Sequence, residues 1–211
     1  MTALHVFDMD GTLLRGSTAC RQIAAAHGSE DDVVVLERRF AAREIDVRQF
    51  AAAVHGLWRA LDPATVASAF AAGAWMNGIA EVCADIRDRG EYSAVITLSP
   101  DFFAEHLGAY GFDTVTASRF PSLPFTQPVD PAAILTPDHK VDVVAGLLAR
   151  YGLDVSRCVA YGDSMSDAPL FRHLTATVAV NADAHLAGLA VAEYEGGDMT
   201  AAYRLGRAQL D

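Results

Sequence analysis

The period of apolar and polar positions changes along the chain, and the changes divide it into three stretches. Ala3 to Phe7 is a short continuous apolar run, which predicts a strand buried on both faces. From Arg15 to about Trp75 no strand-like run occurs. Apolar residues instead recur at helical spacing over Thr18 to His27, Val33 to Arg43, Phe50 to Leu61 and Pro63 to Ala72. Gly28-Ser29 and Asp62-Pro63 interrupt this stretch, the proline suiting the first turn of a helix. A block of about sixty residues is too long for an ordinary strand-to-helix connection and predicts an inserted helical cap. The resulting division is a core of residues 1–14 and 76–211 with a cap of residues 15–75.

From Asn77 onward helix and strand alternate. Asn77 to Arg89 predicts a helix ended by Gly90, and Tyr92 to Thr97 predicts a strand. Ser99-Pro100 opens a further helix that ends near Gly111, and Asp113 to Ser118 is the next strand. Phe120 to Pro137 carries five of the eight prolines, which predicts an irregular segment or a short hairpin. The pattern closes with a helix over Asp138 to Tyr151 before Gly152, strands over Cys158 to Tyr161 and Thr177 to Val180, and a helix from about Met199. Such alternation predicts an α/β fold, a doubly wound parallel sheet with helices on both faces.

Composition narrows the picture. A chain of 211 residues with 52% apolar content fits one ordinary domain with an insertion and can fill a complete core. No apolar run approaches the roughly 20 residues of a membrane span, and the N-terminus lacks a signal-peptide pattern, so the expected location is cytoplasmic. Cys20, Cys83 and Cys158 are isolated and odd in number, which reads as buried free thiols. The formal net charge of −11 argues against a nucleic-acid surface. It leaves a small phosphate ester open, because a metal ion and one or two placed cations reverse the sign locally.

Candidate chemistry gathers at the strand ends. Asp8-Met9-Asp10-Gly11-Thr12 follows the first strand directly and puts two carboxylates where open α/β sheets bind ligands. Gly11 lets the chain turn away at once. Thr97 ends the run Ala94-Val95-Ile96, Lys140 lies near a helix start, and Gly162-Asp163-Ser164-Met165-Ser166-Asp167 follows Cys158-Val159-Ala160-Tyr161. Taken singly, Thr97 reads as a strand end, Lys140 as a solvated helix residue, and Asp163 or Asp167 as a helix cap. Together and in this order the four pieces resemble the haloacid dehalogenase superfamily of phosphohydrolases.

The resemblance implies a chemistry that phosphate monoesters need, since they hydrolyse very slowly without an in-line nucleophile, charge neutralisation and a proton for the leaving oxygen. Asp8 is expected to attack phosphorus and form an aspartyl-phosphate. Asp10 is expected to protonate the leaving alcohol and then deprotonate water. Mg²⁺ is the expected cofactor, held by Asp8, Asp163 and the Asp10 carbonyl, with Asp167 orienting this shell from behind. Thr97 and Lys140 are expected on the phosphoryl oxygens. The expected partner is a small-molecule phosphate ester, with neither nucleic acid nor membrane.

The cap between the first and second motifs is most similar to the phosphoserine phosphatase branch, in which a cap glutamate reads the serine ammonium and a cap arginine its carboxylate. Here Ser17 stands at the glutamate position, and the arginine position falls among Ala51 to Ala53. Arg21, Arg48 and Arg59 are the arginines able to substitute from another turn. The positions left to read a substrate include Arg15, Ser17, Thr18, Arg21, Phe40, Arg43 and Trp58, several of which suit cap surface or cap core equally well. Hydroxyls, arginines and an aromatic favour a sugar, cyclitol or polyol phosphate. The alternatives are a phosphoserine- or phosphohomoserine-type phosphatase, a phosphotransferase, or, from another class, a non-catalytic phosphate-binding protein. Asp10 and Gly11-Thr12 count against a haloacid dehalogenase. A Schiff-base phosphonate hydrolase needs a cap lysine, and the chain's single lysine is Lys140.

Overall fold

Leu4–Phe7 forms β1, buried at every position although one of its four residues is His5. Four helices follow, α1 (Ala19–His27), α2 (Glu30–Ala41), α3 (Val47–Leu57) and α4 (Pro63–Ala71). Then come α5 (Ile79–Asp88), β2 (Tyr92–Pro100), α6 (Asp101–Ala104), β3 (Thr114–Ser118), α7 (Pro137–Tyr151) and β4 (Cys158–Gly162). The chain ends with α8 (Ala168–His173), β5 (Ala176–Val180), β6 (Ala192–Tyr194) and α9 (Met199–Arg207). The computed structural model describes residues 2–210.

All six strands run parallel in the order β3-β2-β1-β4-β5-β6. This is the expected doubly wound sheet, and strand order reverses between β1 and β4, where such sheets open a crevice beyond their carboxyl ends. Phe7 pairs with Val95 on one side and Tyr161 on the other, so Asp8, Thr97 and Asp163 leave the sheet at one edge. Side chains alternate faces along each strand. Leu4, Val6, Ala94, Ile96 and Ala160 pack under α7 and α8, whereas Phe7, Val95, Val159, Tyr161 and Val178 pack against α5 and α9. Trp58 and Leu61 between α3 and α4, and Val66 of α4, join the second of these clusters, so the helical segment and the sheet share one apolar interior.

Local chemistry moves several element ends from their predicted positions. α2 begins at Glu30 rather than Val33, because Glu30, Asp31 and Asp32 favour the positive end of the helix dipole. α3 begins at Val47 rather than Phe50, because Asp46 and Gln49 form a capping box. Asn77 does not cap α5. Gly78 does, at φ +79°, and a side chain there would run into Thr200. The backbone of Asn77 instead bonds Gly197 and Met199. β2 runs three residues past Thr97, and β6, a three-residue edge strand, has too short a pattern to be read from sequence.

The proline-rich segment after β3 is irregular apart from one short 3-10 turn at Pro131–Ala133. It docks on α3. Ala51 packs with Val129 and Ile134, Arg48 donates to the Pro131 carbonyl at 2.9 Å, and His55 stacks on Phe125. Among the described residues no helix is long and apolar enough to cross a membrane. Cys20, Cys83 and Cys158 are buried and unbridged, as predicted.

Candidate active site

Three strand ends and one helix start meet at the reversal of strand order. Lys140, in the first turn of α7, is 1% exposed. Its ammonium donates to Asp8 Oδ1 and to Asp167 Oδ1, both at 2.6 Å. A buried ammonium needs such partners, since desolvating an unpaired charge is prohibitive. Asp167 accepts with its other oxygen from the backbone amides of Asp163 at 3.1 Å and Ser164 at 3.3 Å. One carboxylate therefore fixes both the lysine and the loop that presents Asp163. Gly162 is required here because a Cβ would collide with the Asp167 carboxyl.

Asp10 points to a different set of donors. The amide of Ala19, in the first turn of α1, donates to its Oδ1 at 2.7 Å, and the Ser99 hydroxyl donates to its Oδ2. The start of the helical insertion is thus tied to this carboxylate. Thr97 is buried, lines the cavity above these groups and accepts from the Ser99 amide at 3.1 Å. Gly11, at φ +79°, lies against Asp163, and any side chain there would occupy the space of the Asp163 carboxylate.

The electrostatics show an excess of acid. Asp8, Asp163 and Asp167 bring one oxygen each within 4.8 Å of one another. Burial, together with the Asp167 charge, pushes Asp8 well above the usual carboxylate range. Burial and then Asp167 and Asp10 push Asp163 up to about 8. Asp10 is also raised by burial, against the bonds from Ser99 and Ala19. Burial works against the Lys140 charge, but Asp167 and Asp8 outweigh it and hold the ammonium above its ordinary value. One ammonium does not balance three carboxylates, and Asp163 Oδ1 is buried with no hydrogen-bond partner. An oxygen set of this kind, with an orphaned buried carboxylate atom, fits a hard divalent cation such as Mg²⁺.

A cavity of about 490 Å³ opens onto Asp8, Asp10, Thr97 and Ser99. Of the insertion residues singled out from sequence, Thr18, Arg21 and Phe40 line it, and Arg15, Ser17, Arg43 and Trp58 do not. Trp58 is fully buried and donates to Ser29 at 3.1 Å, so its aromatic surface belongs to the helical interior. Ser17 accepts from Gln22 at 2.8 Å. Arg15 is exposed, and Arg43, at φ +58°, reaches the sulfur of Met165 at 3.9 Å. Neither Arg48, which is engaged by Pro131, nor Arg59 lines the cavity, which leaves Arg21 as the substituting arginine found there. Arg21 pairs with Glu37 at 2.6 Å, and Glu37 also accepts from Thr18 at 3.0 Å. Sequence reasoning missed Glu37, Asp183 and the bond between Ser99 and Asp10, although Ser99 was singled out as a helix opener.

The family model for haloacid dehalogenase-like hydrolases matches residues 5–172 of this chain. Phosphoserine phosphatase SerB1 of Mycobacterium tuberculosis is 30% identical over 218 residues, covering 90% of this chain and 68% of that protein. Two solved structures at 20% identity share the fold. A phospho-aspartyl intermediate analogue of phosphoserine phosphatase has a TM-score of 0.81, covering 96% of this chain and 98% of that one. A substrate-bound phosphoserine phosphatase complex also has a TM-score of 0.81, with 97% and 98% covered.

Proposed function

This chain belongs to the haloacid dehalogenase-like hydrolases, as a phosphatase of the phosphoserine phosphatase-like branch, and from that premise we propose a Mg²⁺-dependent phosphomonoesterase that works through an aspartyl-phosphate on Asp8. The observation that carries the reading is the buried bridge of Lys140 between Asp8 and Asp167, beside the unpartnered Asp163 carboxylate. Asp8, Asp163 and the Asp10 carbonyl would hold Mg²⁺, which supplies charge neutralisation between an anionic nucleophile and a phosphate dianion.

The chain's own residues carry the steps. Lys140 holds one oxygen of Asp8 and leaves the other to attack phosphorus in line. As the Asp8 oxygen bonds to phosphorus, the bond to the alcohol oxygen breaks, and Asp10 gives that oxygen a proton. Burial raises Asp10, the direction that suits a proton donor. Ser99 and the Ala19 amide hold its plane. In the second half Asp10 takes a proton from water, the water oxygen bonds to phosphorus as the phosphorus–oxygen bond to Asp8 breaks, and the phosphoryl group leaves as inorganic phosphate with Asp8 restored as its carboxylate. The Thr97 hydroxyl and the Lys140 ammonium steady the phosphoryl oxygens throughout.

Residues 15–75 are the cap in this reading and residues 1–14 with 76–211 the catalytic core, supported by the bond from α1 to Asp10. A cytoplasmic setting is supported by three unbridged cysteines. The substrate is a small phosphate ester, and an amino-acid phosphate of the phosphoserine type ranks ahead of the sugar, cyclitol or polyol phosphates expected from sequence. Two observations support that order. The curated relative is a phosphoserine phosphatase, and Arg21 with Glu37 brings a cation and an anion to the cavity, as a zwitterion requires.

The test is phosphate release from phosphoserine, phosphohomoserine, sugar and polyol phosphates, with Mg²⁺ and with chelator. Release that needs Mg²⁺ and favours the amino-acid phosphates is expected. Full activity in chelated buffer sinks the metal assignment, and sugar phosphates well ahead, with Arg21→Gln silent, sink the substrate assignment.

A further inference from the structure

Beyond the phosphate-binding floor, most of the cavity is apolar. An apolar wall is made by Phe40 of α2, by Val47, Phe50, Ala51 and Val54 of α3, and by Phe120 after β3. The three phenylalanines are half-buried, unlike Phe7 and Phe103, which are fully buried in the core. Each packs against another ring. Phe40 and Phe50 lie 5.8 Å apart, and Phe120 packs on Phe102 at 5.6 Å and Phe125 at 6.1 Å. The wall is therefore a prepared surface rather than side chains folded in for want of another place.

Serine's alcohol offers this wall one methylene. A sugar or polyol would bring hydroxyls against it, and each would lose water without gaining a partner. A cavity of about 490 Å³ falls in the range that encloses drug-sized ligands. Arg21 and Glu37 line the same cavity and offer an ionic group a cation and an anion beside these apolar residues. Resting on the phosphatase reading of this site, we infer that, besides an amino-acid phosphate held at Arg21 and Glu37, the pocket takes phosphate monoesters of uncharged alcohols and ranks them by their apolar body, alkyl or aryl, with roughly four carbons or more preferred to fewer. Phe40, Phe50 and Phe120 are the specificity residues. They touch the carbon skeleton of the alcohol and leave the chemistry at phosphorus to the floor.

A matched neutral series isolates the wall from the charged flank: ethyl, butyl, hexyl and 2-phenylethyl phosphate with saturating Mg²⁺. Each added methylene is expected to raise kcat/KM by roughly fourfold until the wall is covered. The gain is expected in KM, since binding made equally in ground and transition states does not raise kcat. Phe50→Ala and Phe120→Ala are expected to flatten the series, with losses that grow with chain length. The corresponding alkylphosphonates, which lack the ester oxygen, are expected to raise Tm in the same order without turnover. Should a variant fail to fold, the wild-type series and the phosphonate ranking still decide. A flat or falling series from an enzyme that does hydrolyse phosphoserine overturns this inference and leaves the phosphatase reading standing. No release from any ester, phosphoserine included, overturns both.

Discussion

The floor of the cavity and its flank use the same chemical materials in opposite ways. At the floor Asp8 lines the cavity, with Lys140 and Asp167 behind it outside the lining; all three are at most 6% exposed, and two ion pairs of 2.6 Å lock them together. On the flank Arg21 and Glu37 also meet at 2.6 Å, but the Arg21 side chain is 52% exposed and both residues sit on inserted helices. A buried pair is strongly coupled to its surroundings, because removing one partner strands the other in low dielectric. An exposed pair contributes about 0–1 kcal/mol and can part to meet a ligand. Position thus separates a fixed floor from an adaptable flank, and substitutions on the two sides are expected to fail differently.

The largest effect is expected from Asp8→Asn, with kcat falling at least roughly 10⁴-fold while the fold persists. Its Tm is expected to stay near wild type, because the change relieves acid repulsion among carboxylates that share one ammonium. Lys140→Met tests the floor from the other sign. Stranding Asp8 and Asp167 is expected to cost about 3–5 kcal/mol, and so to lower Tm by roughly 10 °C in a chain of this size, besides removing activity. A Lys140→Met protein as stable as wild type contradicts the locked floor. Asp10→Asn is expected to slow turnover by roughly 10²- to 10⁴-fold, and Ser99→Ala less, with the pH profile of kcat shifted in the serine variant because a bond to Asp10 is lost.

On the flank, Arg21→Gln is expected to leave Tm within a degree or two and to lower kcat/KM for phosphoserine by roughly tenfold or more, with less effect on an alkyl phosphate. An equal loss for both esters contradicts the division into floor and flank. The smallest effect lies beneath the floor. His5 is fully buried on β1, bonded to Glu91 at 3.0 Å and Tyr161 at 3.1 Å, and burial lowers its pKa despite Glu91. A lowered folded value means that the native state favours the neutral ring. Its contribution is present above the ordinary value of 6.5 and is lost as pH falls below that toward the folded value. The Tm of wild type is therefore expected to fall more steeply between pH 7 and pH 5 than that of His5→Gln. Parallel curves remove His5 from the account.

The floor was legible in sequence because each of its parts sits at the end of an apolar run. Strand ends in a parallel sheet converge on one edge, so the order of Asp8, Thr97, Lys140 and Asp163 along the chain, read through its resemblance to the haloacid dehalogenase superfamily, pointed to one site. The flank was not legible in the same way. Glu37 lies mid-helix on a polar stretch of α2, and its meeting with Thr18 and Arg21 depends on how α1 packs on α2. Trp58 shows the converse. Its ring suits a pocket as well as a core, and only the packing of α3 decides for the core. Ser99 reaches Asp10 across 89 residues, a pairing with no local signature. The sugar and polyol expectation arose from counting hydroxyls and arginines along the cap, whereas the wall is assembled from apolar residues of three separate segments.

The central claim is that Asp8 is a covalent nucleophile held ready by Lys140, and the most direct measurement is mass spectrometry of the enzyme acid-quenched during turnover with Mg²⁺. One phosphoryl group is expected on the peptide that carries Asp8, reaching a steady level within the first turnover and absent from Asp8→Asn. Steady turnover with the Asp8 peptide unmodified in quenched samples, or a phosphoryl group on any other residue, would contradict the account.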